Sequence, residues 1–324
     1  MNTKPPEIID LLRRLGGPTT NAVLDPSTLI FKVPEIDGLL GYKIHFGCAV
    51  VFGDPVCADS DTLALMKAFE TWCKEKRLKI VYNIASEPFA KFASQHGYLA
   101  RIEFGQEIVI DPHHDPRKLT GNNASLVRRK VRHAEKEGVS CLEYVEGDLN
   151  IESKMETVAD LWLKEKKGPQ IYMASVSLFS NRPGKRWFYA KKGDEIVGVV
   201  MLNRLQKRQG WLLNHLMITP NAPGGVPEIL VITAIDTLKN EGCHHLTCGS
   251  VPCDTLGEIL GPSQTSIKVT RFIFHVAKKI FRLHGKYKFW EKFDPTLAPS
   301  YLLFHGKSIG IKPIGALIRS MNTF

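Results

Sequence analysis

The chain has 324 residues, 43 Lys and Arg against 33 Asp and Glu, a formal charge of +10 and 44% apolar residues. That length fits two domains of roughly 150 residues, each able to bury a core, and the positive excess favours an anionic partner, nucleic acid or an acidic membrane surface, without choosing between them. No run approaches the ~20 apolar residues of a membrane span, and the N-terminus MNTKPPEIIDLLRRLGG lacks the apolar segment of a signal peptide, so contact with a membrane is expected only from its surface.

Seven cysteines include no Cys-x-x-Cys pair, and they read as reduced thiols of a cytoplasmic protein. Cys243, His244 and His245 lack a second ligand pair at zinc spacing, so no metal is expected.

In chain order, 29–33 and 42–52 read as strands, the second ending at the turn GDPVCADSD. Leu65, Met66, Phe69, Trp72 and Cys73 recur at three- and four-residue steps behind an Asp/Ser cap, as in a helix. KIVYNIA is a strand, SEPFAKFASQHGY a short helix closed by Gly97, and ARIEFGQEIVID an alternating strand stopped by Pro112. LTGNNASLVRRKVRHAEKEG is a basic helix opening the second half. A hairpin turning at Gly193-Asp194 follows, then the strand GWLLNHLMITP. The helix GGVPEILVITAIDTLKNEG has Pro227 in its first turn and Gly242 at its end. The strand HHLTCGSVP precedes a last long helix, QTSIKVTRFIFHVAKKIFRLHG.

The two halves share one plan, an α/β (α+β) arrangement of mixed sheets flanked by helices, divided near residue 118 into units 1–118 and 119–324. A strand, a turn and a helix N-terminus beside a diverging strand resemble the GNAT acyltransferase core, at 43–98 and again at 211–250. GNAT enzymes that use acetyl-CoA hold its pyrophosphate on backbone amides of a Gln/Arg-x-x-Gly-x-Gly/Ala loop. The candidate loops GDPVCADSD and TPNAPGGVPE lack the Gln or Arg, which disfavours acetyl-CoA chemistry; no cofactor is expected.

GGPTTNAVLDPST, GDPVCADSD, GYLARIEFGQEIVID, APGGVPEILVITAI, CGSVPC and KFWEKFDPTLAPSYLLF occur in one order from about residue 6 to 305. In that order they resemble the soluble domain of bacterial phosphatidylglycerol lysyltransferases, the multiple peptide resistance factors. The resemblance implies a tandem GNAT architecture and transfer of an amino acid from aminoacyl-tRNA to a lipid hydroxyl at the cytoplasmic membrane face. Fungal relatives aminoacylate ergosterol, and the Cys57 and HLMITPNAP segments are similar to that branch. Where the lysyltransferases carry Asp-Leu-Met-Arg, this chain has His215, Leu216, Met217 and Ile218, so both polar ends of the motif are replaced. Glu228 matches the family's acidic residue in the following helical turn. Lys292, Phe293, Pro295 and Tyr301 match the C-terminal motif, whereas Trp290 and Leu297 replace a lysine and a tryptophan.

Transfer from an ester needs a base for the attacking hydroxyl, donors for the carbonyl oxygen and an anion for the amino group. Converging on the cleft between the central strands, His215 is a candidate base and Glu228 a base or amine anchor. Asn214 and Ser250 are candidate oxyanion donors. A helical first-turn carboxylate also favours the dipole, and a strand His is often a bonded core residue. Glu228→Gln is expected to abolish transfer and leave folding intact.

Arg128, Arg129, Lys130 and Arg132 on the basic helix are expected to meet tRNA phosphates. Lys288, Trp290, Lys292 and Tyr301 are expected to line the joint between tRNA and lipid. Pro295 and Pro299 are expected to return SYLLF as an edge strand. In the last long helix, Phe272, Ile273, Val276, Ile280 and Leu283 form a stripe flanked by Lys268, Arg271, Lys278, Lys279 and Arg282. It reads as a core face, with an interfacial face as the alternative. Two other functions stay open: an acyl-CoA-dependent N-acyltransferase binding pantetheine at 219–227, and a non-catalytic tRNA- or lipid-binding relative.

Overall fold

The computed structural model describes residues 3–165, 171–172, 176–280 and 286–323. The first half runs α1 (Pro6–Leu15), β1 (Leu29–Phe31), β2 (Leu40–His45), β3 (Cys48–Phe52), α2 (Thr62–Glu75), β4 (Lys79–Ser86), α3 (Glu87–Ser94) and β5 (Ala100–Ile110). The expected strand 42–52 is a hairpin, because Phe46 and Gly47 take φ of 51° and 71° between the partners His45 and Cys48. That is the geometry of a two-residue turn matched to strand twist. α2 buries Leu65, Met66, Phe69 and Cys73 as its period requires. α3 starts on Ser86, whose Oγ accepts from the Phe89 amide.

The second half runs α4 (Asn122–Lys136), β6 (Val139–Glu143), α5 (Leu149–Lys164), β7 (Ile171–Tyr172), β8 (Lys185–Lys192), β9 (Glu195–Leu205), β10 (Gly210–Ile218), α6 (Val226–Asn240) and β11 (Leu246–Pro252). It closes with β12 (Ile259–Leu260), α7 (Gln264–Ile280), α8 (Lys286–Trp290), β13 (Thr296–Phe304), α9 (Ile311–Ser320) and β14 (Asn322–Thr323), the last paired with β7. Arg282 and Leu283 of the expected stripe lie outside the described residues, as do the side chains of Lys279 and Ile280.

The main sheet is mixed and continuous across both halves, in the order β1-β2-β3-β4-β13-β5-β11-β10-β9-β8-β6, with β12 also on β5. β13 is therefore central and not an edge strand, which corrects the reading of SYLLF. It pairs antiparallel with β5 from Thr296 to Phe304 and with β4 from Ser300 onward. Pro299 is tolerated because its missing N–H falls before β4 joins the ladder. A cut near residue 118 leaves β12 and β13 beyond it, although both pair with first-half strands.

Helices cover both faces. α2 and α3 close a core that includes Tyr82, Tyr98, Tyr301 and Leu303, while α9 packs Ala316 and Leu317 against Val50, Val81, Ile102 and Phe304. In the second half, α4 and α6 share a core with Phe188, Leu213 and Phe293, and α5 closes the opposite face with Trp187, Met201 and Met217. Phe293 is fully buried, and burial of such a side chain contributes about 1.5–3 kcal/mol.

Candidate active site

β10 pairs with β9 along its length but with β11 only at Trp211–Leu246 and Leu212–Thr247. Beyond Leu212 the two parallel strands have no further pairing, and a bulge between Leu213 and His215 leaves Asn214 as the extra residue. Next comes the Gly224-Gly225 turn into α6. Gly225 has φ of 101°, and a Cβ there would strike the Lys130 carbonyl of α4. This close approach puts Lys130 and His133 beside the turn; a Cβ on Gly224 would lie 3.3 Å from the His133 ring and 3.9 Å from Lys130 Nζ.

Glu228 stands in the first turn of α6, where the helix dipole favours a carboxylate. It is buried, 5% exposed, and its Oε1 accepts from Lys292 Nζ at 2.5 Å. Lys292 is itself 8% exposed and lies 3.9 Å from the Phe289 ring centroid. The other oxygen, Glu228 Oε2, has no hydrogen-bond donor among the described residues. Lys292 thus belongs to the same site as Glu228, and α8 with the turn Glu291–Phe293 exists to carry it there.

His215 is elsewhere. Leu213, Leu216 and Ile218 of β10 pack toward α6, whereas Met217 belongs to the core under α5. His215 shares that second face, with Trp162 of α5 at 6.5 Å between ring centroids. Burial, and then the Lys185 charge, pushes its imidazole down to about 4. It is neutral at physiological pH, able to accept a proton but a weak base. The expected convergence of His215 and Glu228 in one cleft is thereby corrected: a ligand touching both must pass the gap between β10 and β11.

Lys185, which the sequence pattern did not mark, organises the His215 face. Its Nζ donates to the carbonyls of Ser177, Leu178 and Ser180 at 3.1, 3.0 and 2.7 Å. Burial, with Arg13 and Arg182 nearby, brings Lys185 down to about 7, while the three carbonyls favour its charged form. Arg182 in turn is held by Glu152, which also accepts from Tyr144 Oη.

Ser250 lies in a third place. Its Oγ bonds Ser300 Oγ across β5, passing Gly105, where a Cβ would crowd Ser250 and the Val251 carbonyl. Both serines line a polar cavity of about 20 Å³ with Asp54, Glu107 and Arg208. One water needs ~10–15 Å³, so the cavity is water-sized, and Ser250 serves the junction of β11 and β13. Glu107 and Arg208 pair at 2.5 Å; burial raises Asp54 above the usual carboxylate range.

Of the basic helix, Arg128 is turned inward: it donates to the carbonyls of Arg117 and Leu119 and to Ser125 Oγ. Arg129 and Arg132 are exposed and Lys130 is half-buried. Lys288 is exposed, while Trp290 packs at 4.9 Å from Phe289 and 6.0 Å from Phe293. Tyr301 is buried in the core under α2 and α3, with Arg101 at 5.7 Å from its ring, and so does not line the joint with Lys292. His244 stacks on His113 at 4.0 Å; among the described residues no group of three His, Cys, Asp or Glu is placed to hold a metal ion.

A bulged strand, its diverging neighbour and a helix N-terminus with a buried acid form a unit of the mixed α/β sheet that is GNAT-like in its arrangement. Residues 12–304 match the family described as phosphatidylglycerol lysyltransferase, C-terminal, and the chain belongs to that family. A C-terminal domain assigned to a lysylphosphatidylglycerol synthetase of Agrobacterium fabrum is similar at TM-score 0.78 and 16% identity, over 96% of this chain and 94% of that one. L-PGS from Bacillus licheniformis is similar at TM-score 0.76 and 17% identity, over 98% and 97%. FemX is similar at TM-score 0.53 and 11% identity, over 98% and 100%. No curated protein sequence matches the chain.

Two outcomes follow from this geometry. Glu228→Gln leaves the buried Lys292 ammonium without its counter-charge, so it is expected to cost about 3–5 kcal/mol in urea unfolding. That corrects the expectation of intact folding; a change below about 1 kcal/mol would contradict the buried pair. For His215, the native value near 4 lies below the ordinary 6.5, so the unfolded chain takes up the proton first. Its contribution is complete above pH 6.5 and is lost as pH falls through 4, by up to about 3 kcal/mol. Stability measured from pH 7 to 4 should therefore fall more steeply for the native chain than for His215→Gln, and parallel curves would refute the lowered affinity of this half-buried imidazole for a proton.

Proposed function

We propose that this protein is an aminoacyl-tRNA-dependent transferase that moves an amino acid to the hydroxyl of a lipid, phosphatidylglycerol or a sterol such as ergosterol, at a membrane surface. The family supports lipid aminoacylation in general terms. The observation that carries the finer reading is Glu228, buried at a helix N-terminus with one carboxylate oxygen taken by Lys292 and the other without a donor among the described residues.

In this reading Glu228 Oε2 receives the ammonium of the donor amino acid. Lys292 is near enough to the same carboxylate to stabilise the oxyanion that develops on the ester carbonyl. The lipid hydroxyl oxygen attacks that carbonyl and the bond to the tRNA ribose oxygen breaks. The hydroxyl's proton ends on the ribose oxygen, so one ester replaces another without oxidant, metal or nucleotide cofactor. Arg129, Arg132 and Lys288 are exposed and Lys130 stands by the Gly224-Gly225 turn. These four suit the tRNA phosphates, whereas Arg128 supports the helix.

His215 and Ile218 occupy the positions where the lysyltransferases carry acidic and basic residues. His215 faces α5 and Ile218 faces α6, and neither a neutral imidazole nor an aliphatic chain offers an ion pair to a lysine side chain, so this reading takes a donor other than lysine. Ile218 also packs into the first turns of α6: a Cβ at Gly198 would lie 2.9 Å from Ile218, Val226 and Leu230 alike.

The test incubates the purified protein with total charged tRNA carrying labelled amino acids and a lipid extract containing phosphatidylglycerol and ergosterol. Label should enter the lipid phase and vanish after RNase treatment of the donor. Absence of transfer, with acyl-CoA consumed when supplied, would replace this reading with N-acyl transfer.

A further inference from the structure

α7 is amphipathic in an unexpected sense. Arg271 donates to the carbonyls of Leu256 and Gly257, and Lys278 is 8% exposed with its Nζ on Asp254. Val269, Phe272 and Val276, spaced as one stripe, are instead 49%, 68% and 39% exposed. The core reading of this stripe is thus corrected at Phe272 and Val276.

Behind the helix lies a cavity of about 90 Å³ between α7, α9 and the sheet, walled by residues that include Phe104, Phe274, Ala277, Leu302 and Ile318. It is several times the ~10–15 Å³ that one water needs, yet among the described residues that line it only Thr270 has a side-chain oxygen or nitrogen. Such a space is wrongly lined for water and suits hydrocarbon.

The surroundings share one character. On α9, Ile311 and Ile318 are exposed, and Gly315 faces the ring of Phe46. Phe46 is 59% exposed at the tip of the β2–β3 hairpin, in a left-handed conformation that bulky residues rarely adopt. The segments 264–280, 311–320 and 43–48 contain no Asp or Glu, while Lys268, Lys312 and Arg319 are exposed on them. Exposed apolar side chains interleaved with Lys268, Lys312 and Arg319, which pair with no carboxylate among the described residues, suit the interface of an anionic bilayer, where each basic residue contributes on the order of 1 kcal/mol.

We propose that the face formed by α7, α9 and the β2–β3 turn docks on an anionic membrane and takes one hydrocarbon chain of a bilayer lipid into the cavity behind α7. This rests on the reading of the acceptor as a lipid, and it assigns the surface from which that acceptor is drawn.

The experiment uses the whole chain without tRNA, so it is independent of transfer. Phe272→Trp is mixed with phosphatidylcholine vesicles, with or without phosphatidylglycerol, whose chains are brominated. Quenching beyond that of the native tryptophans is expected in the phosphatidylglycerol vesicles and should weaken with salt. Phe272→Asp changes an exposed side chain and should weaken co-sedimentation with these vesicles about tenfold or more. Ala277→Leu, which fills the cavity, should weaken binding while retaining the native fold by circular dichroism. Equal binding by Phe272→Asp, or equal binding to neutral vesicles, would overturn the proposal. So would a dimer that Phe272→Asp dissociates in the absence of vesicle binding, which would give the face to a second copy.

Discussion

Lys292 reaches Glu228 across 64 residues of chain and closes a buried ion pair at the first turn of α6. Removing either charge alone leaves the other stranded in an apolar core, so the C-terminal tract must return to α6 whenever the protein folds. The aromatics around it follow from that requirement: Phe289 lies over the ammonium, Phe293 fills the core beneath, and Trp290 packs against both. The tract GKYKFWEKF is mixed in character because it must deliver one cation into an apolar site.

Having delivered Lys292, the chain enters β13, which stitches β4 to β5. The same tract, Lys286 to Phe304, thus serves the site of the second half and completes the sheet of the first. Tyr301 belongs to the second task and not to the first, although both sit in one stretch of sequence.

Local pattern was enough for α2, α6 and β5, because their apolar spacing and end residues report the burial of a single face. It was not enough where partners are distant. Nothing in SYLLF distinguishes an edge strand from one paired on both sides, and the position of Pro299 becomes informative only once β4 is known to join at Ser300. Phe46 hid the β2–β3 turn because a bulky residue seldom takes a positive φ. For α7 the spacing of apolar residues was correct, but Phe272 and Val276 face outward while Ile273 lines the cavity, since carbonyls and Asp254 draw the cations Arg271 and Lys278 inward. At the site, Glu228 and Lys292 were both legible as residues, but their pairing was not. The separation of His215 from Glu228 required the bulge at Asn214 and the two cores to be seen.

In the proposed reaction Glu228 and Lys292 act as one unit, as they do in folding. A double-mutant cycle with Glu228→Gln, Lys292→Met and the pair together tests it most directly, read by urea unfolding and by transfer of labelled amino acid to lipid. The double variant is expected to lose less stability than the sum of the two singles by at least about 1 kcal/mol, with transfer lost in all three. Stability losses that add within about 0.5 kcal/mol, together with transfer retained in either single variant, would contradict it.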